Sequence, residues 1–483
     1  MNGPIRRLAA IVAVLFASLL ISTTYIQVVD ASSLADQPRN TRTLYKEYGR
    51  QRGPLIVSGE AVAESTPSKD VYKFQRKYPG GAMYAPITGY YSTIYGAHGL
   101  EGTENDLLSG TADRLFYRRI SDLLVGKEPA GAQVELTINP KAQQAAWKAL
   151  GNQRGAVVAL DPKTGDILAM VSKPSYDPDQ LATHDADKAR KAYKKLNADD
   201  QTPLINRAIG GDLYPPGSTF KIITSAAALT DGYDLDSELD GPARLDLPQT
   251  TATLPNDNFL PCGPNNKTTL IHALEISCNT AYASLGMALG QDKVREQAQK
   301  FGYGQDLAIP LTVEPSKFPT GLNKPQLAQS SIGQFDVRVT PLQVAMVSAG
   351  VANDGVVMRP NLIRRVRSAE QETIEERKPA ELSEAVTPDV AQKLTTMMEQ
   401  VVISGTGTKA QIPGVKVAGK TGTAQHAEGK APQVWFTSFA PADDPKVAVA
   451  VVVEEGGNLG KDAFGGTVSA PIAKAVMEAV LNK

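Results

Sequence analysis

The chain has 483 residues, of which 42% are hydrophobic and 21% are charged, and its formal net charge is -1. This composition is typical of folded globular domains, and the length predicts two domains besides any targeting segment. The balanced charge, without a basic stripe or finger-like Cys/His spacing, excludes a nucleic-acid-binding protein.

An apolar run comes first. Arg6 and Arg7 precede a segment from Leu8 to about Val29 that has no charged side chain. About 20 apolar residues match the hydrocarbon core of a bilayer at the helical rise, and the flanking arginines favour a cytoplasmic N-terminus. A cleaved signal peptide is the alternative, but its apolar region is usually only about 7–15 residues long. We therefore expect an uncleaved single-pass anchor over residues 1–29, with the rest of the chain outside the cytoplasm.

Residues 30–150 contain many turn signals and no catalytic constellation. Asn40, Arg42, Arg50 and Arg52 form a polar, basic cluster just past the apolar run, for which a solvated face next to the membrane is the alternative to a functional role. The segment Asn105–Val125 has a partly helical pattern. We expect this region to be a small domain of its own.

The pattern changes from Gly155. Two short apolar runs, 155–160 and 167–171, are separated by turn residues and predict a β-hairpin of buried strands. Two more strands are predicted at 434–439 and 447–453, and a final helix is predicted over Ala470–Leu481, with Pro471 in its first turn. Strands at both ends with helices between them predict one antiparallel sheet flanked by helices.

A serine and a lysine stand one helical turn apart in this second region. Pro215, Pro216 and Gly217 form a turn, so Ser218 begins the following helix and Lys221 lies on the same face. A serine hydroxyl needs a base to remove its proton, and a lysine is such a base when burial or positive neighbours depress its pKa. Alone, Ser-x-x-Lys is a weak signal with about one or two chance matches in a chain of this size, and an N-cap serine beside a surface lysine would explain it.

Ser277-Cys278-Asn279 is the second candidate motif. Its hydroxyl and amide stand two residues apart on a predicted loop, so both can point into a cleft. Ser277 would relay a proton between the nucleophile and the leaving group, and Asn279 would hydrogen-bond the substrate amide and the lysine. A capped loop is the alternative for this tripeptide on its own.

Lys420-Thr421-Gly422-Thr423 is the third motif and follows a strand-like alternation. A strand with this sequence presents a cation and a hydroxyl to a substrate carboxylate, and Gly422 leaves room for a ligand against the strand edge. The backbone N–H groups of Ser218 and Thr423 would form an oxyanion hole. Lys163-Thr164-Gly165 repeats the tripeptide, but it falls in the hairpin turn and precedes Ser218.

The two cysteines are Cys262 and Cys278. A chain outside the cytoplasm lies where disulfides persist, and turn residues between the cysteines allow the loop to close. We expect a disulfide that braces the loop before the second motif, with two buried thiols as the alternative.

The three motifs, in this order, resemble those of the penicillin-binding and serine β-lactamase superfamily. Longer stretches are similar to penicillin-binding transpeptidase domains over about residues 151–483. A weaker resemblance covers 30–150, where Gly96-Ala97-His98-Gly99-Leu100-Glu101 is similar to the pedestal domain of class B proteins, and the short actinobacterial type is the most similar. Cys278 stands where many members differ, which leaves the Ser277 and Asn279 roles intact. The transpeptidase-like stretches are 154–165, 206–208, 214–218, 331–334 and 339–343.

The resemblance implies an α+β fold: an antiparallel sheet flanked by helices plus an all-helical subdomain, after a transmembrane helix and a small, mostly β pedestal domain. The implied boundaries are 1–29 for the anchor, 30–150 for the pedestal, or dimerisation-like, domain, and 151–483 for the transpeptidase domain.

The implied activity is that of a peptidoglycan D,D-transpeptidase. Ser218 would attack the penultimate D-alanine of a stem peptide, with Lys221 as the general base and Ser277 and Lys420 in proton transfer. Lys420, Thr421 and Thr423 would bind the terminal carboxylate, and β-lactams would acylate the same serine. Implied partners are donor and acceptor stem peptides, the membrane and a membrane-embedded glycosyltransferase of the shape, elongation and division class. No cofactor and no metal are expected.

Other functions on the same motifs remain open. A D,D-carboxypeptidase or slow β-lactamase differs only in using water to resolve the acyl-enzyme, and a β-lactam sensor or a division scaffold would not be an enzyme. The 30–150 region is too short for the glycosyltransferase domain of bifunctional relatives. Ser-His-Asp catalysis is disfavoured because no histidine lies near a nucleophile elbow, and no zinc-binding spacing occurs. The histidines are His98, His184, His272 and His426.

Overall fold

The computed structural model of the chain describes residues 2–30, 45, 47–115, 130–425 and 429–483. The predictions on Asn40, Arg42, His426 and residues 116–125 lie outside these ranges. The chain divides into two units, one of Met1–Gln51 with Thr66–Gln75 and one of Arg52–Ser65 with Arg76–Lys483.

The smaller unit begins with the apolar helix. Helix α1 spans Asn2–Thr24 and continues as a π-helical turn over Tyr25–Val29. Within the described residues, the stretch Gly3–Val29 is the one helical segment long and apolar enough to cross a membrane, and none of its most apolar window is buried against protein. The predicted apolar anchor segment is therefore present as a helix of suitable length.

Three of the longer helices that follow begin at well-defined capping signals. Asn139, Thr340 and Thr387 cap their helices by accepting hydrogen bonds from backbone N–H groups of the first turn, and a proline follows each of them. Among the described residues, all the longer helices after α1 are α2 (Gly81–Thr88), α3 (Pro140–Leu150), α4 (Ala186–Asn197), α5 (Lys221–Thr230), α6 (Asn279–Leu289), α7 (Gln291–Lys300), α8 (Pro341–Ala352), α9 (Pro388–Ile403) and α10 (Gly465–Leu481).

Two sheets contain most of the longer strands. The strands are β1 (Leu55–Val57), β2 (Glu60–Pro67), β3 (Phe74–Lys77), β4 (Gln133–Leu136), β5 (Gly155–Leu160), β6 (Ile167–Lys173), β7 (Ile363–Arg367), β8 (Thr373–Glu376), β9 (Ala418–Ala424), β10 (Gln433–Ala440) and β11 (Val447–Val453). Shorter strands lie at Tyr91–Ser92, Gly96–Ala97, Glu238–Asp240, Arg244–Asp246, Thr253–Pro255, Lys267–Thr269, Leu307–Ala308, Thr312–Val313, Val356–Met358 and Glu381–Glu384. Shorter helices lie at Leu100–Thr103, Asn105–Leu108, Asp179–Ala182, Leu270–Glu275 and Lys324–Ser330.

The five-stranded sheet has the order β9-β10-β11-β5-β6, and its strands are antiparallel. The predicted hairpin is confirmed as β5 and β6, paired from Gly155 with Lys173 to Leu160 with Ile167. Lys163-Thr164-Gly165 lies in its turn, where Gly165 has a φ of 76°. Because β9 is an edge strand, one of its sides is left unpaired by the sheet.

Helices cover both faces of this sheet. Alternate residues of each strand point to opposite faces, so Val158 and Ala450 face a core shared with α5, α8 and α9. Val157 and Val451 face a second core shared with α3 and α10. All of β11 is buried, as its unbroken apolar sequence requires. The predicted antiparallel sheet flanked by helices is confirmed.

The six-stranded sheet has the order β8-β7-β4-β1-β2-β3, with β1 parallel to β4 and β7 antiparallel to β4. Two of its strands, β7 and β8, come from within the range 151–483. Beside it, Glu101 is fully buried between Arg52 and Arg76, both of which form ion pairs with its carboxylate. The alternative of a solvated face does not hold for Arg52: the residue is 3% exposed because Glu101 supplies a buried counter-charge.

Two predicted helices differ from the structure. Helix α10 begins at Gly465, five residues before the predicted start, so Pro471 lies inside it and not in its first turn. A Cβ on Gly465 would stand 2.0 Å from the Trp435 carbonyl oxygen, so the glycine serves close packing of the helix end on β10. Within Asn105–Val125 the described part is helical only at Asn105–Leu108 and in a 3-10 turn at Asp113–Leu115.

Candidate active site

Ser218 lies in a tight turn pressed against the edge strand β9. The turn is a 3-10 helix over Gly217–Phe220 that leads directly into α5. Gly217 has a φ of 54°, and a Cβ there would stand 2.7 Å from the carbonyl oxygen of Thr423. Glycine is therefore required both by the left-handed backbone and by the close approach to β9. Ser218 is 7% exposed.

Two further contacts fix this turn. The Gly217 N–H donates to the Gly333 carbonyl at 2.9 Å, and the indole N–H of Trp435 donates to the Pro215 carbonyl at 3.1 Å. Gly333 lies in a segment (331–334) that carried part of the family resemblance, and here it supports the turn of Ser218. The turn of Ser218 is thus held by backbone and indole donors, together with the Thr219 hydroxyl, which donates to the Pro216 carbonyl at 2.9 Å.

Lys221 points from the first turn of α5 towards the second motif. Its Nζ donates to the Ser277 carbonyl at 2.7 Å, to Asn279 Oδ1 at 2.7 Å and to Ser277 Oγ at 3.3 Å. Among the described residues the Ser218 hydroxyl has no hydrogen-bond partner. Hydrogen bonds between catalytic groups are often loose in a ligand-free site, so Lys221 is brought to the site without contacting the predicted nucleophile.

Ser277 joins the second motif to the third. It sits between the helix Leu270–Glu275 and α6 with a φ of 62°. Its Oγ accepts from Lys420 Nζ at 2.9 Å as well as from Lys221. Lys420 lies on β9, is fully buried, and also donates to the Thr421 carbonyl at 3.0 Å. One hydroxyl therefore contacts the amino groups of both buried lysines, which come from separate elements of the fold.

Burial controls the protonation of both lysines. Loss of hydration lowers the pKa of Lys221 to about 7, against a smaller, opposing effect of the Asp257 carboxylate. Burial, followed by the positive charge of Lys221, holds the pKa of Lys420 well below its usual value. Desolvation disfavours the charged form of any buried amine, and a neighbouring cation adds to the effect. About half of the Lys221 side chains are therefore neutral near pH 7.

The third motif lies along β9, as the sequence predicts. The Thr421 hydroxyl is 2.6 Å from that of Thr406, which lies in the loop after α9. A Cβ on Gly422 would stand 3.0 Å from the Pro216 carbonyl oxygen, so this glycine permits close approach to the turn before Ser218. Thr423 is half-buried and lines the cleft. Thr406 gave no signal in the sequence.

The disulfide between Cys262 and Cys278 is confirmed, with the two Cα atoms 6.0 Å apart. It ties the loop that contains Asn256 to the middle of the second motif. The buried Asn256 side chain accepts from the backbone N–H groups of Asn279 and Thr280, both at 3.0 Å. The disulfide and these hydrogen bonds therefore hold the loop and the second motif together.

The Asn279 amide links the lysine to the surface of the cleft. Its Oδ1 faces Lys221, and its Nδ2 donates to Asp257 Oδ1 at 2.8 Å and to the Pro255 carbonyl at 3.4 Å. Neither Asp257 nor Asn256 was expected from the sequence, because loop residues without a motif give no local signal.

The motifs open into one cleft of about 1230 Å³. Its lining includes Ser218, Asn279 and Thr423 together with Asp257, Phe259 and Phe464. Within the described ranges, no group of three His, Cys, Asp or Glu side chains is placed to hold a metal ion. A serine hydroxyl in the cleft, a buried lysine of lowered pKa and an edge strand are suited to acyl transfer on an extended peptide.

Comparison with known families agrees with this chemistry. Residues 155–478 match the penicillin binding protein transpeptidase domain, and residues 52–134 match the penicillin binding protein A dimerisation domain. The chain belongs to the penicillin-binding transpeptidase family. Within it, the chain is a class B penicillin-binding protein, a D,D-transpeptidase with a dimerisation domain before the catalytic one, which confirms the predicted family and fold class.

Individual relatives extend over the whole chain. Peptidoglycan D,D-transpeptidase PbpA of Mycolicibacterium smegmatis is 46% identical over 495 residues, covering 100% of both chains. PbpA of Mycobacterium tuberculosis is 42% identical over 494 residues, covering 100% of this chain and 99% of that protein.

Solved structures show the same fold. The ceftriaxone acyl-enzyme complex of penicillin-binding protein A from M. tuberculosis has a TM-score of 0.88 at 42% identity, covering 90% of this chain and 100% of that one. The penicillin G acyl-enzyme complex of the same protein has a TM-score of 0.85 at 42% identity, covering 89% and 100%. A D,D-transpeptidase domain from Eggerthella lenta has a TM-score of 0.78 at 34% identity, covering 90% and 98%.

Proposed function

We propose that this chain cross-links peptidoglycan stem peptides through an acyl-enzyme on Ser218, and that β-lactams acylate the same residue. The observation that carries the proposal is the meeting of two buried lysines, Lys221 and Lys420, on the Ser277 hydroxyl beside the turn of Ser218. Family membership supports the reaction, and the geometry supports the roles that we propose for the individual residues.

Acylation begins with proton removal. Lys221, half neutral near pH 7, takes the Ser218 proton as the oxygen attacks the carbonyl carbon of the penultimate D-alanine. The oxyanion that forms is stabilised by the backbone N–H groups of Ser218 and Thr423. Collapse breaks the peptide bond and leaves an ester on Ser218. The departing D-alanine nitrogen receives, through the Ser277 hydroxyl, the proton that Lys221 took from Ser218, which returns Lys221 to its neutral form.

Substrate binding favours a positive charge on Lys420 and a neutral Lys221. Two buried lysines that share one hydroxyl cannot both be charged without strong repulsion, so their titrations are coupled. A substrate carboxylate that binds Lys420, Thr421 and Thr423 gives Lys420 a counter-charge and raises its pKa. The charge on Lys420 then favours the neutral form of Lys221. Binding of the correct end of the peptide thereby prepares the base.

Deacylation uses an amine from a second stem peptide. The amine attacks the ester carbonyl and loses a proton to neutral Lys221, and the Ser218 oxygen leaves and takes this proton from Lys221. One new amide forms, one ester is broken, and the enzyme returns to its starting state. A β-lactam follows the acylation step, but its leaving nitrogen stays attached to the acyl group.

A cross-linking assay tests the proposal. The full chain in detergent is incubated with a pentapeptide donor ending in D-alanyl-D-alanine and with an amine acceptor, and products are separated by mass. We expect one D-alanine released per cross-link formed, and no product with Ser218→Ala. Release of D-alanine with water as the sole acceptor, even at high amine concentration, would show a carboxypeptidase instead.

The N-terminal helix and the dimerisation domain suggest the setting of this reaction. The arginines before the apolar stretch favour a single-pass topology with the N-terminus in the cytoplasm and the catalytic cleft outside. The family resemblance suggests a membrane-embedded glycosyltransferase of the shape, elongation and division class as the partner. Protease protection in oriented vesicles tests the topology, and co-purification with such an enzyme, with and without residues 52–134, tests the partner.

A further inference from the structure

A carboxylate stands in the cleft next to the amide that would hold the substrate. Asp257 is exposed and lines the cleft with Asn279 and Ser218. Its Oδ1 accepts from Asn279 Nδ2 at 2.8 Å. The other Nδ2 hydrogen makes only a long contact of 3.4 Å with the Pro255 carbonyl, which a ligand carbonyl can replace.

The position of this carboxylate is fixed by its neighbours. The adjacent Asn256 accepts from two backbone N–H groups of the second motif through Oδ1, and its Nδ2 donates to the carbonyls of Pro242 at 3.0 Å and Leu260 at 2.8 Å. The disulfide between Cys262 and Cys278 closes the same loop. Asp257 is thus a charge held at a set distance from Asn279, unlike an acid on a free surface loop.

The charge of Asp257 is not neutralised by a direct partner. Within the part of the chain that the structure describes, its carboxylate takes part in no ion pair. The Asp257 carboxylate acts electrostatically on the buried Lys221 and Lys420. Desolvation lowers the pKa of each lysine, and the negative charge of Asp257 opposes that effect in both. Once a ligand carboxylate occupies Lys420 and Lys221 is neutral, the negative charge of Asp257 faces the ligand alone.

We propose that Asp257 is a specificity-determining residue, which selects by charge the side chain next to the ligand amide that docks on Asn279. Ligands with a cation at that place are favoured and ligands with an anion are disfavoured. In a stem peptide this side chain belongs to the residue before D-alanyl-D-alanine, and in a penicillin it is the substituent on the α carbon of the acyl group. The inference rests on the proposed function of the cleft.

The size of the effect follows from the geometry. Two acceptors on the two hydrogens of one amide nitrogen lie about 5 Å apart, so a charge on the next carbon lies about 5–7 Å from Asp257. One unit charge at about 6 Å changes a rate constant about threefold in the dielectric of water and about tenfold at half that value. A cation and an anion compared on the same scaffold should therefore differ by about tenfold or more.

Three penicillins with one nucleus provide the test: ampicillin with an α-ammonium group, benzylpenicillin with none and carbenicillin with an α-carboxylate. Second-order rate constants for acylation of the full chain in detergent are measured at about pH 6, where the ammonium is protonated. Asp257→Asn keeps the hydrogen-bond acceptor and removes the charge. We expect it to lower the ampicillin-to-carbenicillin ratio by about tenfold or more. A change that alters the rate constants of all three penicillins by the same factor, such as a lower Lys221 pKa, cancels in the ratio.

Controls separate charge from structure. Asp257→Glu keeps the charge and should preserve most of the ratio, and Asp246→Asn, an exposed acid on the strand Arg244–Asp246 outside the cleft, should leave it unchanged. Salt at 0.5 M should compress the wild-type ratio but not that of Asp257→Asn. The salt measurement on the wild type needs no variant.

The outcomes separate a failure of the role proposed for Asp257 from a failure of the proposed function. An Asp257→Asn ratio equal to that of the wild type, or an equal fall with Asp246→Asn, overturns the role of Asp257 while leaving Ser218 acylation intact. If none of the three penicillins acylates Ser218 in folded protein, the proposed function fails and the inference fails with it.

Discussion

The pH dependence of acylation tests the assignment of Lys221 as the base. With a pKa of about 7, the neutral fraction of Lys221 is about 9% at pH 6, about 50% at pH 7 and about 91% at pH 8. The rate constant for acylation by benzylpenicillin should therefore rise about tenfold between pH 6 and 8 and then level off. An ordinary lysine with a pKa of 10.5 would instead give a tenfold rise per pH unit through pH 9.

The assay follows the anisotropy of a fluorescent penicillin as it reacts, in buffers from pH 5.5 to 9.5. Lys221→Arg should abolish acylation, because a guanidinium stays protonated throughout this range. Lys163→Ala, which alters the exposed lysine of the duplicate motif in the hairpin turn, should leave the profile unchanged. A rate constant that is flat from pH 6 to 9, or that still climbs tenfold per unit at pH 9, would refute the account of Lys221.

Two predictions concern the stability of the scaffold. Replacing Cys262 and Cys278 by alanine removes a cross-link between residues 16 apart and should cost about 3 kcal/mol of unfolding free energy; an unchanged urea midpoint would contradict this. Glu101→Gln leaves Arg52 and Arg76 buried without a counter-charge and should cost about 3–5 kcal/mol. Urea denaturation measures this loss of unfolding free energy. A loss below about 1 kcal/mol would show that water or another acid replaces the Glu101 carboxylate.

The sequence is most informative where local chemistry and strict order coincide. Ser218, Ser277 and Lys420 could be selected because their motifs occur in one order along the chain, and the duplicate at Lys163 could be set aside because apolar runs on both sides make it a hairpin turn. The disulfide could be predicted because the chain has only two cysteines. Each of these inferences needs only residue type and spacing.

The rest depends on contacts between distant segments. Nothing local shows that Asp257 meets Asn279, or that Arg52 meets Glu101, because each pair is brought together by the fold. The early start of α10 has the same origin: Gly465 reads as a helix breaker in sequence, yet it lets the helix end pack on β10. The Lys221 pKa follows from burial, which the motif itself does not specify.

The most direct test of the central claim is the mass of the intact full chain after incubation with benzylpenicillin, followed by peptide mapping. We expect one penicilloyl adduct per chain, located on the peptide that contains Ser218, and no adduct with Ser218→Ala. An adduct on another residue, or none on protein shown to be folded, would contradict the assignment of Ser218 as the nucleophile.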